Sequence, residues 1–549
     1  MTTTPLDFKP LPEETPKDLS QVPIGLALSG GGYRAAAFHL GTLAYLERIK
    51  LLTQLSRLST VSGGTFTGSK YILSLVEGIG FLEFFQNFYR FLRDQNLFKA
   101  GLADLSQGPS RVPSGQPKLI LSMANVYADT FLKSPQGHPY TLGKILDSEI
   151  SVKEISFNTT EFRTGVAFRF QKSANGRARI GNGNVSIPKD AAKEIRLADI
   201  VAASSCFPGG FEPLEFPQDF AWPNNQIPPR VKNAVGENGQ FHSLALMDGG
   251  IFDNQGIDSL ILSDDRKDSE SLGIFIISDV DSPQDNLYEY PQNNKPSGNL
   301  TLGQLDWFIR FFLLVCILTV ASVSYELWRE IQQGTFIFWQ HFFSVLMPLI
   351  LVFGVIASLW WGRGLIKNQL LPRIPQTGLA GWQDLKLLKV DEFLYLVELR
   401  MTSLLALTSA VFMDRIKALI FTRAYSDKRY QGKLILNRID RLVKPNVSLP
   451  GVTPLSSKLK QVAENAAAMP TTLWFDKPQQ LADVTVAGQA TICFNLMRHI
   501  GRVYQDSPEN YPPAIKKLWD ELNQDWERLN IDPYDLLEEL MPEEKLLRH

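Results

Sequence analysis

The amino-acid sequence predicts an α/β fold with a mainly parallel central sheet, and a repeated pattern near the start of the chain carries this prediction. Residues 24–28 form a short apolar run that ends in a Ser-Gly-Gly-Gly turn, and residues 34–49 carry apolar side chains at helical spacing. The order then repeats, with a strand predicted at residues 57–61, a Ser-Gly-Gly turn, and a helix predicted at residues 65–76. Strand, glycine turn and helix in alternation are typical of parallel sheets.

Later segments add helices and strands to this unit. The aromatic-rich residues 81–98 predict an amphipathic helix whose apolar face packs on the core. Residues 157–170 alternate between apolar and polar side chains and predict strands, and residues 272–280 predict a buried strand. The small side chains of residues 198–211 predict a helix followed by a turn, which we expect to pack against the second glycine turn.

The two glycine turns are where the sequence predicts chemistry. Turns at the carboxyl ends of neighbouring parallel strands meet at one edge of the sheet, where open α/β sheets bind their ligands. Ser62 stands between a strand and a glycine-started helix, a setting that holds a serine hydroxyl exposed on a strained turn. The amides of Gly31 and Gly32 begin the other helix, and amides in that position can stabilise the oxyanion of acyl transfer. Ser62 is therefore a candidate nucleophile.

A third strand ends at a polar side chain followed by glycines. The apolar strand that opens residues 244–256 leads to Asp248, which precedes two glycines. A carboxylate there could accept the proton of Ser62 directly and act as the general base of a two-residue site. The alternative that these residues leave open is an aspartate that only caps a turn.

Composition and motif spacing argue against several other classes of protein. The formal net charge is −2 over 549 residues, which gives no basis for nucleic-acid binding. The first glycine turn also fits the loose dinucleotide fingerprint, but the acidic residue which that site needs after the second strand is missing, and no Walker-type lysine follows. Three widely spaced cysteines form no metal motif, and no acidic loop has calcium-ligand spacing. We therefore expect neither a metal nor another cofactor.

Four motifs together resemble those of patatin-like phospholipases, in the same order and at similar spacing over residues 24–280. The first motif also resembles that of the related cytosolic phospholipases. The four motifs are Ser29-Gly30-Gly31-Gly32-Tyr33-Arg34, Val61-Ser62-Gly63-Gly64, Ala203-Ser204-Ser205-Cys206-Phe207-Pro208 and Asp248-Gly249-Gly250. The resemblance implies a three-layer sandwich and a Ser-Asp dyad that hydrolyses acyl esters of lipids without histidine or metal.

The same resemblance implies a role for individual residues of these motifs. Ser62 would be the nucleophile and Asp248 its base, while the amides of Gly31 and Gly32 would form the oxyanion hole. Arg34 would bind the substrate headgroup or position a loop. The glycines of the supporting turns are Gly30, Gly63, Gly64, Gly249 and Gly250.

The sequence departs from the family pattern at Thr60, which stands where the usual Gly-x-Ser-x-Gly motif has its first glycine. A threonine side chain there could narrow the turn or shift the serine. A triad of Ser62, Asp248 and His499 has the residue order of α/β-hydrolases and is the alternative to the dyad. His499 lies in a predicted helix beside Arg498, so we favour the dyad.

Two apolar segments predict a transmembrane hairpin inserted after the first part of the catalytic domain. Residues 307–325 and 342–361 are each close to the length that crosses a hydrocarbon core, and a linker with Glu326, Arg329 and Glu330 separates them. Half of the tryptophans bracket the two segments, as interfacial anchors do, and basic residues after the second segment favour a cytoplasmic catalytic domain. The alternative is a buried helical pair in a large core.

The predicted domain organisation follows from these segments. It comprises a polar leader (residues 1–21), the first part of the catalytic domain (22–300), the hairpin (301–368), a helical continuation of the catalytic domain (369–505) and an amphipathic acidic tail (506–549). Within the continuation, the apolar residues 401–413 are too short to span a membrane and are predicted to be core. The tail has an apolar stripe at helical spacing and is predicted to dock on the body of the protein.

The sequence thus predicts an integral membrane protein that hydrolyses acyl esters of phospholipids or other acyl lipids at the bilayer surface, as a phospholipase A or a lysophospholipase does. Three alternatives stay open. One is an acyltransferase that uses the same dyad, and another is a non-catalytic lipid-binding scaffold that keeps the fold. The third is a nucleotide-binding membrane protein, against which the missing acidic residue argues.

Overall fold

The structure of the protein is a computed structural model. It describes residues 21–107, 112–236, 243–266, 269–281, 299–334, 389–407, 411–445, 447–505 and 507–543, with scattered positions between 339 and 387. The chain divides into two compact units, one of Met1–Asp285 with Ser409–His549 and one of Asn286–Thr408. The sheet and the candidate site belong to the first unit.

The first unit is built around a ten-stranded sheet within the described residues. Its strands are β1 (Ile24–Leu28), β2 (Leu55–Val61), β3 (Glu154–Glu161), β4 (Val166–Lys172), β5 (Ile180–Gly181), β6 (Ser186–Ile187), β7 (Leu214–Phe216), β8 (Leu244–Asp248), β9 (Ile274–Asp279) and β10 (Leu434–Arg438). Five strands are parallel, in the order β10, β9, β1, β2 and β3. The sheet continues antiparallel from β3 through β4 and β5 to β6, and the antiparallel pair of β7 and β8 joins at β3. The central part of the sheet, from β10 to β3, is therefore parallel, as predicted.

The helices of the described residues follow, of which α12 and α13 belong to the second unit. In chain order they are α1 (Gly32–Arg48), α2 (Gly63–Glu77), α3 (Phe81–Asp94), α4 (Leu97–Leu105), α5 (Leu119–Asp129), α6 (Leu142–Leu146), α7 (Lys189–Ala192), α8 (Leu197–Ser204), α9 (Pro229–Gly236), α10 (Gly250–Asp253), α11 (Ile257–Asp264), α12 (Leu302–Gln333), α13 (Val390–Ala406), α14 (Phe412–Ser426), α15 (Ser457–Ala468), α16 (Pro478–Tyr504), α17 (Pro513–Ile531) and α18 (Asp535–Leu540). Short 3₁₀ helices lie at Leu51–Gln54, Pro223–Asn225, Lys428–Tyr430 and Pro508–Asn510.

Helices cover both faces of the sheet. Leu26 and Ala27 of β1 belong to different apolar clusters, because successive side chains of a strand point to opposite faces. On the face of Leu26, α1 and α16 pack against the sheet and along each other. On the face of Ala27, α11 contributes Ile257 and Leu260, and α14 contributes Ala424. The first unit is thus a helix–sheet–helix sandwich.

Most predicted elements of the first unit lie where the sequence places them. The helix predicted at residues 81–98 is α3, whose buried face is aromatic, and residues 157–170 fall within the antiparallel pair of β3 and β4. The predicted tail helix is α17, which buries its apolar stripe and packs against α15 and α16. Docking of the tail on the body of the protein is therefore confirmed.

The prediction that residues 401–413 form core is wrong. Met401, Leu404 and Phe412 are 53%, 55% and 53% exposed. The sequence identifies these residues as apolar and helical, but apolar composition alone does not decide whether a helix faces other helices or the surroundings of the protein.

One helix of the described residues, α12, is long and apolar enough to cross a membrane. Its 32 residues include an 18-residue window of mean hydropathy 2.1, and 6% of that window is buried. It contains the first predicted span, residues 307–325. The second predicted span, residues 342–361, lies outside the described residues apart from scattered positions. The structure therefore supports one candidate span where the sequence predicts a hairpin of two.

Candidate active site

The second parallel strand delivers Ser62 onto a sharp turn. β2 ends at Val61 and α2 begins at Gly63, so Ser62 alone connects the strand to the helix. Its backbone has φ 50° and ψ −119°, a conformation that costs a residue other than glycine about 1–3 kcal/mol. Strain of this kind persists only where the surrounding structure enforces it, and it is typical of serine nucleophiles between a strand and a helix.

Glycine is required beside Ser62 because the two glycine turns touch. A Cβ atom at Gly63 would lie 2.1 Å from the carbonyl oxygen and 2.8 Å from the amide nitrogen of Gly32. A Cβ atom at Gly30 would lie 3.1 Å from Cβ of Ser62. The turn that follows β1 therefore packs directly against the serine.

Asp248 reaches Ser62 because β3 has two different neighbours along one edge. The first part of this edge pairs with β2 in parallel, and the last part pairs with β8 in antiparallel fashion. Val61 lies opposite Asn158, and Asp248 lies opposite Thr159, the next residue of β3. Since β2 and β8 run toward each other, the residues at their carboxyl ends meet.

The Asp248 carboxylate is buried, and it is near enough to the Ser62 side chain for that side chain to lower its pKa. Its Oδ1 also accepts the amide N–H of Gly250 at 2.7 Å. Burial raises the pKa of Asp248 to about 6, and the interactions with the Gly250 N–H and the Ser62 side chain partly oppose this rise. A carboxylate with this pKa is ionised at neutral pH and is still basic enough to take a proton in a reaction.

The turn after β1 presents two backbone amides at the start of α1. Gly31 and Gly32 have φ values of 138° and 58°, which glycine adopts readily. The amides on either side are occupied, because Gly30 donates to the carbonyl of Asn254 at 2.9 Å and Tyr33 donates to that of Thr472 at 2.8 Å. Among the described residues, the amides of Gly31 and Gly32 have no acceptor. They are therefore available for an anion at a helix N-terminus.

Residues 26–261 match the family model of the patatin-like phospholipases. The matched residues include the turns that carry Gly31, Gly32, Ser62 and Asp248. The chain contains a patatin-like phospholipase domain. A domain of this family supports lipid acyl hydrolase activity in general terms. No curated protein matches the chain.

The patatin-like domain accommodates Thr60 through a glycine elsewhere. A Cβ atom at Gly68 of α2 would lie 2.4 Å from Cγ2 of Thr60. Because Gly68 has no side chain, the Thr60 methyl group fits against the helix. The Thr60 hydroxyl lies 3.0 Å from Oγ1 of Thr65. The threonine therefore points into α2, and Ser62 keeps its strained conformation.

Arg34 of the patatin-like domain contacts a loop from the C-terminal part of the chain. Its guanidinium donates to the carbonyl of Met469 at 2.7 Å and to Oγ1 of Thr471 at 3.3 Å. Burial lowers the pKa of Arg34 from its usual value. These contacts are those of a residue that positions a loop, whereas its role in binding a headgroup stays a prediction.

No histidine forms a hydrogen bond with Ser62 or Asp248 in the part of the chain that the structure describes. His499, the histidine of the alternative triad, is buried in α16, and burial lowers its pKa to about 3. His39 bonds instead to Ser278 Oγ at 2.9 Å and to the carbonyl of Ser29 at 3.0 Å. The dyad interpretation therefore has the better geometry.

Two further residues contact the glycine turns; the contact of Ser204 confirms that residues 198–211 pack against the second glycine turn, whereas Asn254 has no predicted role. The Ser204 hydroxyl accepts the amide N–H of Ser62 at 3.0 Å, and the carbonyl of Asn254 accepts that of Gly30 at 2.9 Å. The sequence shows Ser204 as one small residue among several and Asn254 as one polar residue of a turn. The individual hydrogen bonds have no signal in the spacing, because both join segments far apart along the chain.

Proposed function

We propose that the protein is a membrane-attached lipid acyl hydrolase of the phospholipase A or lysophospholipase type, which cleaves acyl esters through a dyad of Ser62 and Asp248. The observation that carries the proposal is the meeting of the carboxyl ends of β2 and β8, which brings the buried Asp248 carboxylate to the Ser62 side chain on its strained turn. It pairs a nucleophile with a base, and the nearby amides of Gly31 and Gly32 can receive negative charge.

Acylation then needs no residue beyond these. Ser62 Oγ attacks the ester carbonyl carbon while its proton passes to the Asp248 carboxylate. The carbonyl oxygen becomes an oxyanion that the amides of Gly31 and Gly32 stabilise. When the tetrahedral intermediate collapses, the carbon–oxygen bond to the alcohol breaks, and the alcohol leaves with the proton from Asp248. The product is an acyl ester of Ser62.

Deacylation repeats the sequence with water as the nucleophile. Asp248 takes a proton from the water as the water oxygen attacks the acyl carbonyl, and the same two amides stabilise the new oxyanion. Collapse breaks the bond to Ser62, whose oxygen recovers the proton from Asp248. The fatty acid leaves, and the dyad is restored.

Membrane attachment through α12 is the second part of the proposal. Its middle residues are apolar and exposed, as the surface of a helix in lipid must be. The Val390 N–H donates to the carbonyl of Leu300 at 2.9 Å, so the chain returns to a point two residues before the start of α12. This contact supports placing the segment before α12 and the segment that begins α13 on the same side of the membrane. The basic residues that follow residue 361 favour the cytoplasmic side.

Peptide mapping after labelling with a fluorophosphonate tests the dyad. In the detergent-solubilised full chain, we expect the Ser62 oxygen to displace fluoride from the phosphorus atom of the probe. Ser62 then carries the phosphonyl group. Ser59 and Ser69, whose hydroxyls bond to backbone carbonyls at 2.7 and 3.2 Å, are internal controls and should stay unmodified. A folded protein without any adduct would favour the lipid-binding scaffold.

Extraction from membranes tests the role of α12. The wild type should stay in the pellet after alkaline carbonate and dissolve only in detergent. Replacing Leu314 and Leu318 by arginine should release a substantial fraction, since each arginine near the middle of a span costs about 2.5–3.5 kcal/mol. Leu82→Arg, at an exposed leucine of α3, is the control and should behave like the wild type. Release of the wild type by carbonate would contradict attachment by a spanning helix.

A further inference from the structure

The end of α8 lies between the turn that carries Ser62 and the turn that carries Asp248. On one side, Ser204 Oγ accepts the amide N–H of Ser62 at 3.0 Å. On the other side, the carbonyl of Ser204 accepts the Gly249 N–H at 3.4 Å, and the carbonyl of Cys206 accepts the Asp248 N–H at 3.0 Å. One short segment thus bonds to the backbone of both turns.

The Ser204 hydroxyl is buried, and its hydrogen-bonding capacity is filled. It donates to the carbonyl of Asn158 at 2.7 Å and accepts the Ser62 N–H at 3.0 Å, and Oγ1 of Thr65 lies 2.8 Å away. Thr65 in turn lies 3.0 Å from Oγ1 of Thr60. A serine hydroxyl has one donor and two acceptor positions, so no position is left for a substrate or a water molecule.

We propose that Ser204 is a positioning residue that fixes Ser62 relative to Asp248, and that Thr60 and Thr65 hold Ser204 in place. The inference rests on the proposed function, because it assigns a role at the same site. The inference also assigns a role to Thr60. Its hydroxyl contacts that of Thr65, which contacts that of Ser204, and Ser204 accepts the Ser62 N–H.

The physical reason lies in the strained backbone of Ser62. A residue at φ 50° returns to a commoner conformation unless contacts prevent it, and the bond from its N–H to Ser204 is such a contact. Without the Ser204 oxygen, the buried Ser62 N–H would have no acceptor, and the turn would have to move to find one. A shift of about 1 Å in the nucleophile is enough to lower a rate by about 100-fold.

Kinetics of Ser204→Ala test the proposal, with Ser205→Ala as the matched control. Ser205 belongs to the same helix end, but its hydroxyl donates to the carbonyl of Val201 at 2.8 Å and touches neither turn. We expect Ser204→Ala to lower kcat and the rate of fluorophosphonate labelling by about 10- to 100-fold, with little change in KM, because Ser204 does not contact the substrate. Ser205→Ala should keep the wild-type values. Equal losses in both variants, or no loss in a folded Ser204→Ala, would overturn the inference.

A second measurement does not depend on activity. In hydrogen exchange, the Ser62 amide should exchange about tenfold faster in Ser204→Ala and, by a smaller factor, faster in Thr65→Val, while Ser205→Ala leaves it unchanged. If the wild type carries no fluorophosphonate adduct, the proposed function fails, and hydrogen exchange still decides whether Ser204 holds the turn. An unchanged Ser62 amide in Ser204→Ala would refute the positioning role whether or not the protein is active.

Discussion

We expect Asp248→Asn to lower kcat for ester hydrolysis by about 10²- to 10⁴-fold, because an amide cannot take the proton of Ser62. The substitution keeps the shape of the side chain and an oxygen that can accept the Gly250 N–H. Asp253→Asn is the matched control. Asp253 is also buried with a pKa raised to about 6, but its carboxylate bonds to amides of its own turn. Its replacement should leave kcat close to the wild type, measured with a soluble ester in detergent.

The same substitution should stabilise the protein at neutral pH. The pKa of Asp248 is about 6 in the fold, above the value of about 3.9 for an unfolded chain, so the folded state binds the proton more tightly. The wild type therefore loses stability as the pH rises from about 4 to 6, and above that window the loss is about 3 kcal/mol. Asparagine has no charge to bury and avoids this loss.

Denaturant unfolding at pH 5 and pH 7 measures this effect, and the gain in free energy of unfolding should be larger at pH 7. In the wild type, kcat/KM should also fall about tenfold per pH unit below about pH 6, as the carboxylate is protonated. The residual activity of Asp248→Asn should lack this acidic limb. A variant that is less stable than the wild type at both pH values would contradict the assignment of a costly buried charge.

The second large effect is expected for Gly63→Ala, with a loss in kcat of about 10²- to 10³-fold, the range seen when an oxyanion donor is removed. The added methyl group would lie 2.1 Å from the Gly32 carbonyl oxygen and 2.9 Å from Cβ of Ala35. The turn with the two available amides has to move away from Ser62 to make room. Unlike Gly32, Gly63 has no positive φ, so the effect comes from this close approach alone.

Gly80→Ala provides the control for Gly63→Ala. Gly80 precedes α3 with φ −61°, and a Cβ atom there meets nothing within 4 Å. Its activity and melting temperature should match those of the wild type. If Gly63→Ala folds and keeps wild-type kcat, the turn after β1 does not supply the oxyanion hole.

The sequence predicts the local parts of this site well because their signals are local. A short apolar run, a glycine turn and a helical stripe lie within about 25 residues, so β1 with α1 and β2 with α2 are predicted within a few residues of their bounds. The order of Ser62 and Asp248 along the chain, together with the resemblance, is enough to name both. Their meeting depends on β8 sharing an edge of β3 with β2, and no local pattern encodes that pairing.

What the sequence could not predict depends on contacts between distant residues. Ser204 and Ser62 are 142 residues apart, and Arg34 and Met469 are 435 apart. The place of Thr60 depends on Gly68, which by itself is an ordinary small residue of a helix. Within residues 401–413, Met401, Leu404 and Phe412 show the same limit for burial, since these apolar side chains are exposed in the fold.

The loop that bonds to Tyr33 and Arg34 has a consequence for the order in which the protein is made. Thr472 and Met469 leave the ribosome long after α12, as does β10, which completes the sheet beside β9. The turn after β1 acquires its full set of contacts only after the apolar helix α12 has been synthesised. A nascent chain that has not yet reached Met469 and Thr472 therefore lacks the contacts that hold Tyr33 and Arg34 beside the turn after β1.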